Sequence, residues 1–293
     1  MVPDYVSASR SLLSAPSRVV LSTDTHSNGA YPNYTADHIA WINANRVKRN
    51  IAAYLHCGDL TNGDLTAEWT PIQAPWASLA VPGIPCPGNH DYVGSDYTTR
   101  TTDISTYIPT AGMSALIATY QANIASNTAH VVTINGRQWL ILGLEFWPRD
   151  AVVTWADGLL TTHASKSAII VTHECVTHTG VLSTPAFYSV SGTGINLGAD
   201  INTKLVLPHS NVAFVVGGHD IPYGSKRVTT VRNDGTRCHQ LFRNYQGYVA
   251  GVGGAPFLTE ITIDENNNLC HLSAWSPAME TELSSGSEIF QLF

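Results

Sequence analysis

The stretch GIPCPGNHD, residues 83–91, begins as a short apolar run and ends in glycine, asparagine, histidine and aspartate. A turn after a strand uses the glycine and accepts the asparagine, because both adopt backbone conformations that other residues avoid. A turn has no need of the histidine and the aspartate that follow. Their presence indicates that this strand end contributes to a functional site.

Four other apolar runs end in similar polar groups, and together with residues 83–91 they outline a sheet. They are RVVLSTDTH (18–26), IAAYLHCGD (51–59), AIIVTHE (168–174) and NVAFVVGGHD (211–220). Unbroken runs of Val, Ile and Leu are typical of strands that are buried on both faces, as in sheets covered by helices.

Helical segments are predicted between these strands. The first begins at Thr35, a residue type that caps helices. A second covers residues 65–79 and is interrupted by Pro71 and Pro75, and a third covers residues 151–164. The order β-α-β-α-β over the first ninety residues predicts a parallel sheet.

The remaining strands are predicted to pair as antiparallel hairpins. Asn135-Gly136 is a strong hairpin signal, and residues 233–235 and 266–268 mark two more turns between β-rich segments. The glycine-rich loop NYQGYVAGVGGAP (244–256) lacks the strand–helix context of a dinucleotide-binding loop. The sequence thus predicts an α/β fold in a single domain.

Composition restricts the classes of function. The 293 residues carry a formal net charge of −7 with only 13% charged side chains, against roughly 25% in typical soluble domains. No basic stripe is present, so binding to duplex nucleic acid is not expected. No apolar run reaches the roughly 18 residues of a membrane span, and the N-terminus has no basic start or apolar core of a signal peptide. A soluble protein of unknown compartment is expected, and the composition is compatible with a secreted or virion-associated protein.

The cysteines give no disulfide framework. The chain has Cys57, Cys86, Cys175, Cys238 and Cys270, an odd number without a C-x-x-C pair. Buried free thiols are therefore expected. A bridge between Cys238 and Cys270 would require their strands to be neighbours.

The polar residues at the five strand ends form one constellation. They are Asp24, His26, Asp59, Asn89, His90, Asp91, His173 and His219. Ligands of α/β sheets bind at the carboxyl ends of the strands, where these residues lie. Each has an ordinary structural explanation alone, such as a turn cap or a core histidine, but their joint occurrence indicates a metal site. Carboxylate, amide and imidazole without thiolate suit Mn, Fe, Zn or a similar divalent ion.

In order and spacing these residues resemble the calcineurin-like metallophosphoesterase family. The matching motifs are Asp24-Thr25-His26, Gly58-Asp59, Gly88-Asn89-His90-Asp91, His173 and Gly218-His219. The resemblance covers residues 17–277 and implies two mixed β-sheets packed face to face and flanked by helices. We accordingly expect a metallophosphoesterase domain over residues 17–280, an N-terminal extension at 1–16 and a C-terminal tail at 281–293.

The resemblance also implies a dinuclear centre that hydrolyses small phosphoric esters. By position, Asp24 and His26 would hold the first ion, Asp59 would bridge both, and Asn89, His173 and His219 would hold the second. His90 would protonate the leaving oxygen, and Asp91 is expected to orient the His90 ring. A phosphomonoesterase and a phosphodiesterase remain alternatives, since the motifs build the phosphate site alone.

One residue departs from the family pattern. The last motif is Gly-His-x-His in the family, whereas here it is Gly218-His219-Asp220-Ile221. Three explanations compete: water or substrate completes a weak first site, His239 or Asp220 reaches in, or only the second site is occupied. We favour the first explanation and expect two metals of unequal affinity.

Other residues are weaker candidates. The candidates for lining the pocket are His178, His239, Tyr31, Tyr92, Trp147 and Tyr223. The remaining histidines outside the motifs, which match no pattern, are His38, His56, His130, His163, His209 and His271. The alternative function is a metal-binding structural or virion or surface interaction protein with a lapsed site, which leaves His90 and Asp91 without a purpose. A nuclease is disfavoured by the acidic, lysine-poor chain.

Overall fold

A six-stranded mixed sheet carries the first three strand ends. The computed structural model describes residues 15–27, 33–249 and 253–293. In pairing order the strands of this sheet are β13 (Thr281–Gln291), β12 (Leu269–Ser276), β11 (Leu258–Asp264), β1 (Ser17–Ser22), β2 (Ile51–His56) and β3 (Gly83–Pro85). Strands β1, β2 and β3 are parallel, as predicted, and β11 pairs antiparallel with β1.

A seven-stranded mixed sheet carries the other two strand ends. In pairing order its strands are β4 (Leu116–Thr119), β5 (Thr128–Ile134), β6 (Arg137–Gly143), β7 (Ser167–Val171), β8 (Val212–Gly217), β10 (Arg237–Asn244) and β9 (Gly224–Val231). Strands β6, β7, β8 and β10 are parallel. The three predicted hairpins are confirmed as the antiparallel pairs β5–β6, β9–β10 and β11–β12.

The two sheets pack face to face, and their inner faces form the central core. This core combines Val19 and Leu55 of the first sheet with Ile141, Ile169 and Phe214 of the second. Because each sheet is also covered outside, its parallel strands are buried on both faces, which explains their unbroken apolar sequences. The expected architecture of two mixed sheets flanked by helices is confirmed.

Helices flank both sheets. They are α1 (Tyr34–Asn45), α2 (Thr66–Ala77), α3 (Ile104–Tyr107), α4 (Asp150–Thr162), α5 (Pro185–Tyr188) and α6 (Gly198–Ile201). Single helical turns occupy Asn89–Asp91, Val93–Ser95 and Thr110–Gly112, and Asn202–Val206 continues α6. Helices α1 and α2 pack on the first sheet and α4 on the second.

Two helix predictions differ from the structure in detail. The N-cap of α1 is Asn33 rather than Thr35, because the Asn33 side chain accepts a hydrogen bond from the Ala36 backbone at 3.1 Å. Helix α2 continues through Pro71 and Pro75 without a break. Burial of Trp69 and its neighbours against the sheet outweighs the hydrogen bonds that the prolines remove.

The C-terminal segment differs from expectation, whereas the cysteines agree with it. Residues 281–291, predicted as a tail, form β13 and pair with β12 as the edge strand of the first sheet. All five cysteines are buried free thiols. Cys238 and Cys270 belong to β10 and β12 in different sheets, so the bridge between them does not form. Across the described residues, no helix has the length and apolar character that crossing a membrane requires.

Candidate metal centre

The carboxyl ends of five parallel strands meet at one edge of the two sheets. The loop after β1 carries Asp24 and His26, the loop after β2 carries Asp59, and a helical turn after β3 carries Asn89. His173 follows β7 and His219 follows β8 in the second sheet. Hydrogen bonds and close approaches connect all six predicted ligands into one group.

The backbone at four of these ligands lies in the left-handed region. The φ angles are 51° at Asp24, 44° at His26, 54° at Asp59 and 71° at His219. Residues with side chains rarely adopt this conformation, and it concentrates at functional sites where the surroundings enforce it. The surrounding structure therefore holds the backbone in a strained conformation that directs these side chains to one place.

Asp59 lies at the middle of the group. Its Oδ2 is 3.4 Å from His26 Nε2 and 3.3 Å from His173 Nε2, and its Oδ1 accepts a hydrogen bond from the His90 backbone at 2.9 Å. Two sets of potential ligand atoms overlap at this carboxylate, one with His26 and His90 and the other with Asp24 and His173. A carboxylate shared in this way is suited to bridging two cations.

Each ring on the second-sheet side of the group has a defined neighbour. His173 Nδ1 donates a hydrogen bond of 2.6 Å to the Cys57 carbonyl, which directs Nε2 into the group. That Nε2 is 3.1 Å from Asn89 Oδ1 and 3.2 Å from His219 Nδ1. Three candidate ligand atoms thus converge beside Asp59.

The first-sheet side contains buried polar atoms without partners. Asp24 Oδ1 and both ring nitrogens of His26 are inaccessible to solvent and have no hydrogen-bond partner among the described residues. His26 Nε2 is 4.0 Å from Asp24 Oδ1. Burial of such groups is costly unless something binds them, and a cation would satisfy Asp24 Oδ1 and His26 Nε2 together. The residues present therefore fit a divalent metal.

Charges in the group are strongly coupled. Burial alone would raise the pKa of Asp59, but the facing His173 and His26 hold it well below its usual range. Burial would lower the pKa of His173, yet Asp59 and Asp24 raise it. Burial raises the pKa of Asp24.

His90 lies at the edge of the group, where it is partly exposed. Its Nδ1 donates to the Asn62 carbonyl at 3.0 Å, and Ser95 Oγ is 3.3 Å from the same atom. The ring stands edge-on to His26, with 4.9 Å between centroids. Nε2 therefore remains available to a substrate next to the ligands.

Asp91 differs from the prediction that it orients the His90 ring. Its two oxygens accept hydrogen bonds from the backbone of Leu60, Thr61 and Gly88 and from Thr61 Oγ1, at 2.8–3.2 Å. Burial and the nearby Asp59 raise the pKa of Asp91 to about 7. Asp91 thus braces the loop that carries Asp59, because its oxygens are used before they can reach the His90 ring.

The glycines of two motifs are required by close packing inside the group. A Cβ on Gly88 would lie 2.2 Å from Asp59 Oδ1, and one on Gly218 would lie 2.0 Å from Thr23 Oγ1 and 2.3 Å from Asp24 Oδ2. At either position, an added side chain would force these neighbouring atoms to move. Glycine therefore allows two loops of the first sheet to approach at Gly88 and loops from the two sheets to approach at Gly218.

Comparison with known proteins agrees with this geometry. The family model for calcineurin-like phosphoesterases matches residues 17–223, which include every predicted ligand. The chain belongs to this calcineurin-like phosphoesterase family. Metal-dependent hydrolysis is the general activity of this family.

Individual relatives are distant. The chain is 25% identical over 261 residues to the uncharacterized protein YvnB of Bacillus subtilis (strain 168). That alignment covers 85% of the chain but only 19% of YvnB. The chain thus spans about a fifth of this curated relative.

Two solved structures resemble the chain in shape. GAP50 of Plasmodium, the anchor in the inner membrane complex, aligns over 95% of this chain and 89% of its own, with 11% identity and a TM-score of 0.52. Sulfate thiohydrolase SoxB of Thermus thermophilus aligns over 100% and 57% of the two chains, with 9% identity and a TM-score of 0.44. At these identities, the GAP50 likeness supports the fold alone.

The calcineurin-like phosphoesterase pattern has a second histidine where this chain has Ile221. Asp220 and His239 are the two side chains that could replace it as a ligand. Ile221 itself is 64% exposed. Asp220 is hydrogen-bonded to His178 at 2.7 Å, so its carboxylate is already engaged. His239 lies on β10 between Thr229 Oγ1 and the Leu292 carbonyl, inside the core rather than at the strand ends. Neither side chain takes the place of the family's second histidine.

Aromatic rings line one side of the centre. Phe146 lies 4.9 Å from His219 and 5.3 Å from His173 between ring centroids, and Tyr188 lies 5.5 Å from His219. The predicted Trp147 belongs to this wall, 4.3 Å from Phe146. Phe146 and Tyr188 were not predicted from the sequence, although Phe146 lies just beyond the end of β6, where a site residue could be expected.

The other pocket candidates fall in different places. Tyr92 is fully buried behind the aromatic wall, so it does not form the rim. Tyr223 is 47% exposed, and His178 is partly exposed near it. Tyr31 lies outside the described residues.

Proposed function

We propose that the protein is a metal-dependent phosphoric ester hydrolase that acts on small phosphomonoesters or phosphodiesters at a dinuclear centre. The observation that carries the proposal is the position of Asp59. One carboxylate oxygen lies within 3.4 Å of ligand nitrogens from both sides of the centre. Buried atoms without partners flank it on the first side.

Each side of the centre would hold one divalent ion. Asp24 and His26 would bind the first, Asn89, His173 and His219 the second, and Asp59 both. When bound, two such ions polarise the phosphoryl group and make hydroxide available from water near neutral pH. Manganese, iron and zinc all match this set of oxygen and nitrogen donors.

His90 would supply the proton that the leaving oxygen needs. In the doubly protonated ring, Nδ1 donates to the Asn62 carbonyl and Nε2 carries the proton that is transferred. After the transfer the neutral ring keeps its Nδ1 proton, so the hydrogen bond to Asn62 persists. The product alcohol leaves neutral, and the ring is ready to take up another proton from water.

Turnover of a nitrophenyl phosphate monoester and a nitrophenyl diester tests the proposal. The full chain is assayed with added manganese, and its metal content is measured by elemental analysis. We expect hydrolysis of at least one ester that depends on metal and is lost in Asp59→Asn. Two bound ions without turnover of any ester in a wider phosphate-ester screen would instead favour the metal-binding interaction protein with a lapsed site.

A further inference from the structure

His178 and Asp220 form a hydrogen-bonded pair on the loop where the family pattern is interrupted. Asp220 directly follows the ligand His219, and its Oδ2 accepts hydrogen bonds from the backbone N and the Nδ1 of His178, each 2.7 Å long. Its Oδ1 accepts from the Ile221 backbone at 3.0 Å. The Asp220 side chain is 9% exposed and that of His178 is 31% exposed. A buried carboxylate therefore fixes a partly exposed imidazole, whose Nε2 has no hydrogen-bond partner in the described part of the chain.

A cavity of about 420 Å³ opens at this imidazole. Tyr223, Ser225, Lys226 and Ser285 also contribute to its wall, and none of the residues that line it is acidic. Residues 222–226 follow within a few positions of His219 along the chain. In space, His178 is bonded to Asp220, the residue after His219, and its ring lies 6.1 Å from that of Phe187, whose neighbour Tyr188 lies 5.5 Å from His219. The cavity is therefore connected to the metal centre through these two aromatic rings.

Lys226 brings a positive charge to the same cavity. A Cβ on Gly180 would lie 3.5 Å from Lys226 Cδ, so the lysine stem runs along the turn that carries His178. Lys204 pairs with Asp150, whereas Lys226 has no carboxylate partner within the residues that the structure describes. The carboxylate of Asp220 lies behind the imidazole and is only 9% exposed, so the groups that face the cavity are the Lys226 ammonium, the His178 ring and two serines. In a chain of net charge −7, such a cavity favours an anion.

We propose that this cavity, the His178–Lys226 subsite, binds a second anionic group of the substrate, a carboxylate or a phosphate. This inference rests on the proposed function, because the phosphoryl group to be hydrolysed would lie at the metal centre. In the protonated imidazole, Nδ1 donates to Asp220 and Nε2 donates to the anion, while Lys226 supplies an opposite charge. The subsite thus selects esters with one additional acidic group.

The test compares aryl phosphate esters that differ in one ring substituent. One carries a carboxylate, the second a neutral carboxamide at the same position, and the third a second phosphate. Turnover by the manganese-loaded full chain gives kcat/KM for each. Calorimetry with the matching non-hydrolysable phosphonates gives Kd for the same three substituents, independently of catalysis.

Two matched pairs of variants locate the effect. Lys226→Met removes the ammonium charge of the subsite. Lys48→Met removes the charge of an exposed lysine in the turn after α1. His178→Asn keeps an amide where Nδ1 meets Asp220 but has no group at Nε2. His178→Gln keeps an amide at the Nε2 position.

We expect the wild type to prefer an anionic substituent over the carboxamide by about tenfold in both kcat/KM and Kd. Lys226→Met and His178→Asn should lose most of this preference, His178→Gln should retain part of it, and Lys48→Met should retain all of it. The stronger of the two anions identifies the group. Equal binding of the anionic and neutral analogues by the wild type, or an unchanged preference in Lys226→Met, would overturn the subsite. If no ester is hydrolysed, the proposed function fails, and the phosphonate Kd values still decide the subsite.

Discussion

The two sides of the metal centre are built differently. On the second-sheet side, His173 is fixed by the Cys57 carbonyl, and its Nε2 meets Asn89 and His219. On the first-sheet side, neither ring nitrogen of His26 has a partner within the described residues, and the family's second histidine is replaced by Ile221. The first side therefore has fewer ligands and less support for those it has.

This difference has a consequence for metal affinity. Partners that orient a ligand from behind typically change metal affinity by about 10- to 100-fold. His173 has such a partner and His26 does not. We therefore expect one ion to be held firmly and the other to exchange, with Asp59 joining the two sides.

Replacing the shared carboxylate removes the connection between the sides and should have the largest effect. In Asp59→Asn the bridging position loses its charge, so we expect turnover to fall to background and the metal content to drop. Elemental analysis and ester hydrolysis measure both. Asp64→Asn is the matched control, because Asp64 is also buried but bonds to Trp69 Nε1. Full metal content and normal turnover in Asp59→Asn would show that Asp59 does not bridge.

His90→Gln should separate catalysis from metal binding. Loss of general acid catalysis lowers turnover by about 10²- to 10⁴-fold. The loss should be greatest for esters with poor leaving groups, since good ones depart without a proton, and both ions should remain bound. His163→Gln, at the end of α4, serves as control. Equal losses across leaving groups would argue against proton donation by His90.

Dialysis should distinguish the two sides directly. We expect one ion to be retained and the other lost, and activity to return when manganese is added to the dialysed protein. Calorimetric titration should then resolve two binding steps that differ by about 10- to 100-fold. Two ions that survive dialysis, with no response to added metal, would mean that the first side has a ligand that the described residues do not reveal.

Sequence predicted the parts of this comparison that depend on short motifs. The strand ends and the candidate ligands could be predicted because each motif lies within a few residues of an apolar run. The role of Asp91 could not be predicted in this way, because its partners Leu60 and Thr61 lie about thirty residues earlier in the chain. Strand β13 was missed because an edge strand exposes one face and lacks an apolar pattern.

Two glycine substitutions give the smallest effects and sharpen the comparison further. An alanine at Gly218 would press on Thr23 Oγ1 and Asp24 Oδ2, which belong to the first side. We expect Gly218→Ala to lower the free energy of unfolding by about 1–3 kcal/mol through overpacking and to release the weaker ion at lower chelator concentration.

The matched control is Gly136→Ala in the β5–β6 turn. Gly136 has φ of 75° and no atom within 4 Å of its added Cβ, so the cost is backbone strain of about 1–2 kcal/mol. Chemical denaturation should show similar losses for the two variants, whereas chelator titration should separate them. Equal metal release from both would show that the contact between Gly218 and the first side does not affect the ion.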